Sequence, residues 1–169
     1  GQVIVMNNGV ARSSFFVASK VEAKLALGLP TETKLIGTAG NLSRMKGLDT
    51  VYDAWTKIEQ QTENVCLVLA GSVEDGFPVP TGNRVFYLGE LLEEQVGQLF
   101  RSLDVGIIPA HDSEFGRYCF PQKLYEMVAC DLPVVAANVG AIAGILQDTA
   151  AMLFTAGDAD SLFSTITIQ

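Results

Sequence analysis

"FPQKLYEMVACDLPVVAANVG", residues 120–140, predicts a helix, a tight turn and a buried strand in direct succession. Pro121 suits the first position of a helix over 121–130, because the N–H group that proline lacks would have no partner there. "LPVVAA" at 132–137 is a continuous apolar run, which is typical of a parallel strand covered on both faces. This stretch therefore predicts an α/β fold.

The same succession of strand, loop and helix recurs along the chain. The predicted strands are 34–40, 65–71, 84–89, 104–110, 132–137 and 151–155. The predicted helices are 48–61, 92–103, 121–130, 141–146 and a last one from residue 157 onward. Alternation of this kind predicts a doubly wound, Rossmann-like parallel sheet with helices on both faces. Such sheets bind ligands at the carboxyl ends of their strands, so the loops after the strands are the candidate site.

The composition limits the classes of function that the chain can have. Its 169 residues are 49% hydrophobic and 18% charged, which predicts one compact domain with a sizeable core. A formal net charge of −8 argues against nucleic acid or an anionic membrane as the partner. No apolar run approaches the roughly 20 residues of a transmembrane helix. Three cysteines without metal-ligand spacing and a single histidine predict a reduced, cytoplasmic protein without a metal site.

The stretch "GTAGNLSRMKGLD", residues 37–49, places a glycine-rich loop between a strand and a helix. This geometry brings backbone N–H groups and a helix N-terminus towards a phosphate, and Gly40 would let the backbone approach it closely. Lys46 and Arg44 add positive charge beside the helix. The loop matches neither the GxxxxGK[ST] pattern nor GxGxxG, which disfavours nucleoside triphosphate hydrolysis and dinucleotide binding. A plain glycine-rich turn with solvated basic residues stays open as the alternative.

Glu126 lies off the apolar face of the helix over 121–130, and Lys123 precedes it by three residues. One interpretation is an exposed glutamate paired with Lys123 on the helix surface. The other places Glu126 in the ligand crevice, because this helix follows a strand and its loop. A carboxylate there only accepts hydrogen bonds, which suits two neighbouring hydroxyl groups. The amides near 120–122 could meet an anion at the start of the helix.

Four segments, in this order, resemble motifs of one enzyme family. They are "GNLSRMKG" (40–47), "VCLVLAG" (65–71), "RVFYLGE" (84–90) and "YEMVACDLPVVAANVGAI" (125–142). The segment "VIVMNNGVARSSF" near the start is similar to the family's interdomain segment. Together they resemble the C-terminal, donor-binding domain of the retaining glycosyltransferases of family four, which have the GT-B double-Rossmann architecture. The resemblance covers essentially the whole chain.

The resemblance implies roles for particular residues. Lys46 stands at the family lysine that contacts the donor diphosphate, and Arg44 in the same loop adds charge. Both are predicted to be catalytic, since they would stabilise charge on the leaving diphosphate. Glu126 stands at the glutamate that binds the ribose hydroxyls, and residues 88–89 stand where backbone groups meet the base. The predicted donor-binding residues are Gly40, Asn41, Leu88, Gly89, Tyr118, Phe120, Pro121, Gln122 and Glu126.

The chain departs from the family pattern at three places. The family arginine after Gly40 is Asn41, and the first glutamate of the Glu-x7-Glu motif is Tyr118. The "EFG" at 114–116 resembles the family's E-x-F-G but lies too far from the motif's second glutamate. Either the loop holds an insertion, or Phe120 and Pro121 take the place of that Phe-Gly pair, which is the interpretation that we favour because it needs no insertion.

The chain begins without Met, and we interpret it as part of a longer protein. Residues 1–16 are predicted to be a linker strand from a missing N-terminal domain, which would carry the acceptor site. Residues 17–169 are predicted to be the Rossmann-like, nucleotide-sugar-binding domain, inactive in isolation. We expect a cytoplasmic protein, with peripheral membrane attachment through the missing domain as an open alternative.

The resemblance implies a hexosyltransferase that moves a sugar from a nucleotide diphosphate sugar to a glycan, a lipid or another acceptor. It implies no metal and no cofactor, and a UDP-sugar is expected as the substrate from its frequency in the family. Three alternatives stay open. They are a nucleotide-sugar epimerase of the same fold, a non-catalytic nucleotide-binding module, and an interaction domain without a ligand.

Overall fold

The computed structural model describes residues 8–148 and 152–167, which form one parallel sheet with helices on both faces. Six strands pair in the order β3-β2-β1-β4-β5-β6, and every pairing is parallel. The strands are β1 (Lys34–Ala39), β2 (Val65–Ala70), β3 (Val85–Tyr87), β4 (Val105–Ile108), β5 (Val134–Ala137) and β6 (Met152–Phe154). The predicted doubly wound fold is confirmed. The strand order reverses between β1 and β4, where such sheets open a crevice.

The described residues contain seven α-helices, which precede, connect and follow the strands. They are α1 (Lys20–Ala26), α2 (Leu48–Gln61), α3 (Glu93–Ser102), α4 (Glu114–Tyr118), α5 (Gln122–Ala129), α6 (Gly140–Leu146) and α7 (Ala159–Thr167). A 3-10 turn, Arg44–Lys46, precedes α2. None of the described helices is long and apolar enough to cross a bilayer.

Alternate residues of the central strands supply two separate cores. Leu35 packs with side chains from α3, α5 and α6 on one face of the sheet. Its neighbour Ile36 packs with side chains from α2 and α7 on the other face. Both Leu35 and Ile36 are almost fully buried, because helices cover the sheet on both sides. The apolar runs that predicted the strands are therefore explained by burial on two faces.

Two helices are absent from the sequence prediction. The segment 17–33 was not assigned, yet it contains α1, whose N-cap Ser19 accepts a hydrogen bond from the Glu22 N–H at 3.3 Å. The predicted loop 110–120 contains α4, whose N-cap Ser113 accepts one from the Gly116 N–H at 3.2 Å. Helices this short carry too few apolar positions for their periodicity to be recognised.

Most predicted boundaries differ from the structure by only one or two residues. Pro121, predicted to open its helix, is the residue before α5, and the N–H of Leu124 donates to its carbonyl oxygen at 3.0 Å. The strands β3 and β4 are shorter than predicted, at three and four residues. Their apolar flanking residues pack on the core as loops, which a pattern of hydrophobicity does not distinguish from a strand.

The predicted linker strand over 1–16 lies partly outside the described residues, and the described part, 8–16, contains a turn and no strand. The N–H groups of Ser14 and Phe15 both donate to the carbonyl oxygen of Ala11. Phe15 is buried in the core on the face of α3, with its ring 6.1 Å from that of Phe100. In the described part of this segment, Phe15 therefore anchors a turn against the core.

Candidate functional site

A groove lies at the carboxyl ends of β1 and β2. It has two lobes of about 260 Å³ and 300 Å³, and both are lined by Ala39, Gly40 and Val96. We call it the switch-point groove. Its β2 lobe also contains Asn41, Ala70, Gly71, Ser72, Glu90 and Leu91, and its α5 lobe also contains Phe15, Glu93, Phe100, Gln122, Lys123 and Glu126. It lies where the sequence predicted a ligand site.

Gly40 is the shared floor of the two lobes, and its φ of 122° is one that other L residues rarely adopt. A Cβ atom at this position would lie 3.3 Å from Nζ of Lys123. Gly71 follows β2 with a φ of 125°, and a Cβ atom there would lie only 1.8 Å from the carbonyl oxygen of Gly40. The two glycines therefore let the ends of β1 and β2 pack closely and leave the lysine uncovered.

Lys123 is the groove residue that the sequence analysis missed as a ligand contact, since it interpreted this lysine only as a partner of Glu126. Its ammonium group donates a hydrogen bond to Oγ1 of Thr38, on β1, at 3.3 Å. Burial, and then the nearby charge of Lys46, lower the pKa of Lys123 to about 8. The sequence "PQKLYE" places this lysine one helical turn before Glu126, so that both lie on the same face of the helix. That spacing could have indicated that Lys123 lies in the same site as Glu126.

Lys46 approaches the same region from the loop after β1. The turn that carries it ends at Gly47, which has a φ of 79°. A Cβ atom at Gly47 would lie only 3.0 Å from the backbone nitrogen of Ala110, so the chain packs closely there. The Lys46 ammonium lies 3.8 Å from the ring centroid of Phe115, on α4. The structure thus brings Lys46 close enough to Lys123 for the two charges to interact.

Arg44, the other predicted catalytic residue, does not line the groove. Its guanidinium lies 4.7 Å from the ring centroid of Phe77, in the loop after β2. The backbone N–H of Arg44 donates a hydrogen bond to a carboxylate oxygen of Glu74 at 2.8 Å. Arg44 therefore lies against the loop after β2 and Lys46 against helix α4, although they are two residues apart in the chain.

Glu126 lines the α5 lobe and is half-buried. Burial raises the pKa of its carboxyl group; a hydrogen bond with Gln122 and the charge of Lys123 oppose this rise, and the charge of Glu93 adds to it. Glu93, on α3, accepts a hydrogen bond from Oγ of Ser14 at 2.8 Å. The structure thus brings three groups together in one lobe. Glu126 can accept hydrogen bonds, Lys123 is a cation, and Gly40 offers uncovered backbone.

The start of α5 offers less to an anion than the sequence predicted. The Gln122 N–H donates to the carbonyl oxygen of Phe120 at 2.9 Å, so it is already engaged. The side chain of Gln122 lines the α5 lobe and donates to the carbonyl oxygen of Gly9 at 3.1 Å. Pro121 is buried at the helix start.

Two of the predicted donor-binding side chains lie outside the groove. Tyr118 is 85% exposed at the end of α4. Phe120 is also exposed and stacks on Tyr125, with ring centroids 5.5 Å apart. It is Phe115, in "EFG", whose ring contacts Lys46. This placement favours the interpretation with an inserted loop over the one in which Phe120 takes the place of the family phenylalanine.

The two residues predicted to meet the base lie beside the β2 lobe. The Leu88 N–H donates to the carbonyl oxygen of Leu69 at 2.9 Å, and the Gly89 carbonyl oxygen accepts from the Gly71 N–H at 2.7 Å. Both groups are engaged in holding the strand ends together. The next two residues in the chain, 90–91, line the lobe instead.

Metal-ligating side chains are not grouped in the part of the chain that the structure describes: no three His, Cys, Asp or Glu residues there could hold a metal ion. The single histidine, His111, pairs through Nε2 with Oδ1 of Asp49 at 2.9 Å. Among the described residues, the basic side chain that lines the groove is Lys123.

Known proteins resemble this chain in sequence and in fold. A family model described as "Glycosyl transferases group 1" matches residues 33–168. The D-inositol 3-phosphate glycosyltransferase 2 of Catenulispora acidiphila is 24% identical over 173 residues, which cover 93% of this chain and 39% of that protein. The chain thus spans less than half the length of this curated relative.

Two solved structures share the fold, each with a TM-score of 0.77 over 95% of this chain. One is the C-terminal domain of LpcC, a glycosyl transferase group 1 family protein from Francisella tularensis, at 17% identity and 87% coverage of that chain. The other is Anabaena Alr3699/HepE in complex with UDP and glucose, at 22% identity and 45% coverage of that chain. With the family match over residues 33–168, they show that this chain belongs to the group 1 glycosyl transferases and has the fold of their C-terminal domain.

Proposed function

We propose that this chain is the donor-binding half of a retaining glycosyltransferase that moves a hexosyl group from a nucleotide diphosphate sugar to an acceptor. One observation carries the proposal. The switch-point groove places Lys123 beside the uncovered backbone of Gly40 and in the same lobe as the carboxylate of Glu126, and the charge of Lys46 acts on Lys123 from the loop after β1. Cations beside bare backbone suit a diphosphate, and a carboxylate suits ribose hydroxyls.

The chemical task of the lysines is to stabilise the leaving group. Transfer of the sugar breaks the bond between its anomeric carbon and the diphosphate, so that negative charge develops on the departing phosphate oxygen. Cations fixed in a partly dry groove stabilise this charge more than water-exposed cations do. Thr38 holds the Lys123 ammonium through a hydrogen bond of 3.3 Å, so little reorganisation is needed when the charge appears.

The donor's nucleoside would occupy the rest of the groove. Glu126 would accept hydrogen bonds from the two ribose hydroxyls, and the base would enter the β2 lobe beside Glu90 and Leu91. We propose uridine as the base; the complex of Alr3699/HepE with UDP and glucose supports this choice. The acceptor would bind to an N-terminal domain, in keeping with the share of the relatives' length that this chain spans.

A thermal-shift panel with UDP, GDP and ADP tests the proposal on this chain. A ligand at 100 times its Kd should add about 2.7 kcal/mol to the free energy of unfolding, which is about 5 to 10 °C in Tm for a domain of this size. We expect the shift with UDP, and we expect Glu126→Ala to abolish it while leaving the Tm of the free chain nearly unchanged. Glu94→Ala is the matched control, because Glu94 is exposed on α3 and lines neither lobe.

A non-catalytic nucleotide-binding module is the second candidate, and Asn41 favours it. This neutral side chain lines the β2 lobe at the position where the resemblance implies an arginine. NMR analysis of products formed by the whole protein with a nucleotide sugar decides between the candidates. A new glycosidic bond with retained anomeric configuration supports the transferase. Bound but unconverted donor supports the module, and an epimerised donor contradicts both.

A further inference from the structure

The switch-point groove contains the ammonium group of Lys123, and Lys46 lies close enough for its charge to act on it. Among the described residues, ion pairs within 4.0 Å involve five other basic side chains and His111, but neither Lys46 nor Lys123. Lys123 donates a hydrogen bond to the hydroxyl of Thr38, and Glu126 acts on it without forming an ion pair, whereas Lys46 lies over the ring of Phe115. Two like charges in a partly dry groove repel one another, and a bound anion removes that repulsion.

We propose that Lys123 binds the donor diphosphate as an ammonium group, so that molecules in which it is neutral take up a proton from solvent on binding. The inference rests on the proposed function, because it deepens the role of the same groove. Gly40 makes the contact sterically available: a side chain there would begin 3.3 Å from the Lys123 ammonium and would cover it. A diphosphate seated on the Gly40 backbone would meet this ammonium directly.

The charged groups around Lys123 fix the direction of the proton transfer. In the ligand-free chain, burial and Lys46 favour the neutral amine, whereas Glu126 and Cys119 favour the ammonium, and on balance the pKa of Lys123 is about 8. About half of the molecules are then neutral at this position at pH 8. Glu93 lines the same lobe and acts on Glu126. A bound diphosphate adds at least two negative charges and therefore raises the pKa of Lys123.

Linkage gives the sign of the effect on affinity. Because the complex binds more protons than the free chain, affinity must fall as the pH rises above the pKa of the free lysine. For a free pKa of about 8 and a much higher pKa in the complex, the loss between pH 7.5 and 9.5 is about 25-fold. The phosphate groups of the nucleotide titrate near pH 6, below this window.

Isothermal titration calorimetry of UDP with this chain measures both effects. At pH 8, titrations in two buffers of different ionisation enthalpy should show uptake of about 0.5 proton per nucleotide bound. Lys123→Met should weaken binding about 10-fold or more at pH 7.5 and abolish the uptake. Lys123→Arg keeps a permanent charge, so it should bind with an affinity that no longer falls above pH 8.

Two controls isolate the effect. Lys34→Met removes a lysine at the amino end of β1, the opposite end of the same strand, and should change neither affinity nor proton uptake. Cys119→Ser removes the thiol that acts on Lys123 and should keep the uptake. Lysine 13C NMR of the ligand-free chain should show one Cε resonance that titrates near pH 8 and is absent from Lys123→Met.

The outcomes separate this inference from the proposed function. Binding of UDP without proton uptake, or with uptake that persists in Lys123→Met, overturns the role of Lys123 and leaves the donor site standing. No binding of UDP, GDP or ADP by the wild-type chain at pH 7.5 overturns both.

Discussion

Asp104 is the residue whose substitution by asparagine tests the packing of the fold most directly. It lies just before β4, at the amino end of the sheet and away from the switch-point groove. Its carboxylate accepts a hydrogen bond from the Leu35 N–H at 2.9 Å and from Lys20 at 2.8 Å. Lys24 lies 3.4 Å away, so the carboxylate joins β1 to α1. We expect Asp104→Asn to destabilise the chain strongly without affecting nucleotide binding.

The magnitude follows from the burial of Lys24. Its side chain is only 5% exposed, and its other polar partner is the carbonyl oxygen of Thr33 at 2.7 Å. Breaking a buried ion pair by removing one partner costs about 3–5 kcal/mol. The Asp104 side chain is 15% exposed and the asparagine oxygen still accepts a hydrogen bond, so we take the lower end, about 3 kcal/mol. This corresponds to a loss of about 6–12 °C in Tm.

Denaturant unfolding of wild type, Asp104→Asn, Lys24→Met and the double variant measures the effect. The double variant should lose less than the sum of the single losses, because it leaves no buried charge unpaired. A loss below about 1 kcal/mol in Asp104→Asn, or strictly additive losses, would refute the reasoning.

The pH dependence gives a second check on Asp104. Burial raises the pKa of Asp104, but Lys20, the Leu35 N–H and Lys24 together outweigh this and hold it below its ordinary value. A lowered pKa in the folded state means that the contribution is complete above the ordinary aspartate pKa of about 3.9 and disappears as the pH falls through the lower folded value. The stability difference between wild type and Asp104→Asn should therefore be constant above about pH 5 and shrink below pH 4.

Three further predictions concern other regions. Gly71→Ala should lower the free energy of unfolding by about 2–6 kcal/mol, because its Cβ would overlap the Gly40 carbonyl oxygen at a φ that disfavours alanine. Gly144→Ala, at a helical position with open space, should raise it by up to about 1 kcal/mol. Equal effects of the two substitutions in denaturant unfolding would contradict this reasoning. Tyr52→Phe should not lower Tm, because the buried hydroxyl has no hydrogen-bond partner among the residues that the structure describes, and a loss above about 1 kcal/mol would contradict this. Lys46→Ala should lower kcat of the whole protein about 100-fold at saturating donor, and an unchanged kcat would exclude it from leaving-group stabilisation.

The sheet could be predicted from the sequence because its strands are buried on both faces. A run such as "VCLVLAG" leaves no polar position to solvent, and β2 is buried along nearly its whole length. The helix α2 was predicted with its observed bounds, since its buried residues recur at helical spacing over 14 residues. The short helices α1 and α4 span 7 and 5 residues, too few for the same signal.

The candidate site could be predicted only in part. The loop of Gly40 and Lys46 and the position of Glu126 followed from strand-loop-helix order, because the carboxyl ends of parallel strands share one edge. The directions of long side chains did not follow. Arg44 extends to Phe77 in a loop more than 30 residues later, and no local pattern encodes such a contact. From the sequence, Lys123 was interpreted as an ion-pair partner of its helix neighbour Glu126, whereas its hydrogen-bond partner is Thr38 on β1.

The lysines at the two ends of the sheet differ in their ion pairing, and this difference indicates where an anion binds. At the amino end, three lysines lie within 4.0 Å of the carboxylate of Asp104. At the carboxyl end, Lys46 and Lys123 are brought together, and no ion pair within 4.0 Å involves either of them among the described residues. Glu126 lines the same lobe and favours the ammonium form of Lys123, but burial and repulsion from Lys46 outweigh it and lower the pKa of this lysine. A bound diphosphate offsets both costs, which is the physical basis for placing the donor diphosphate there.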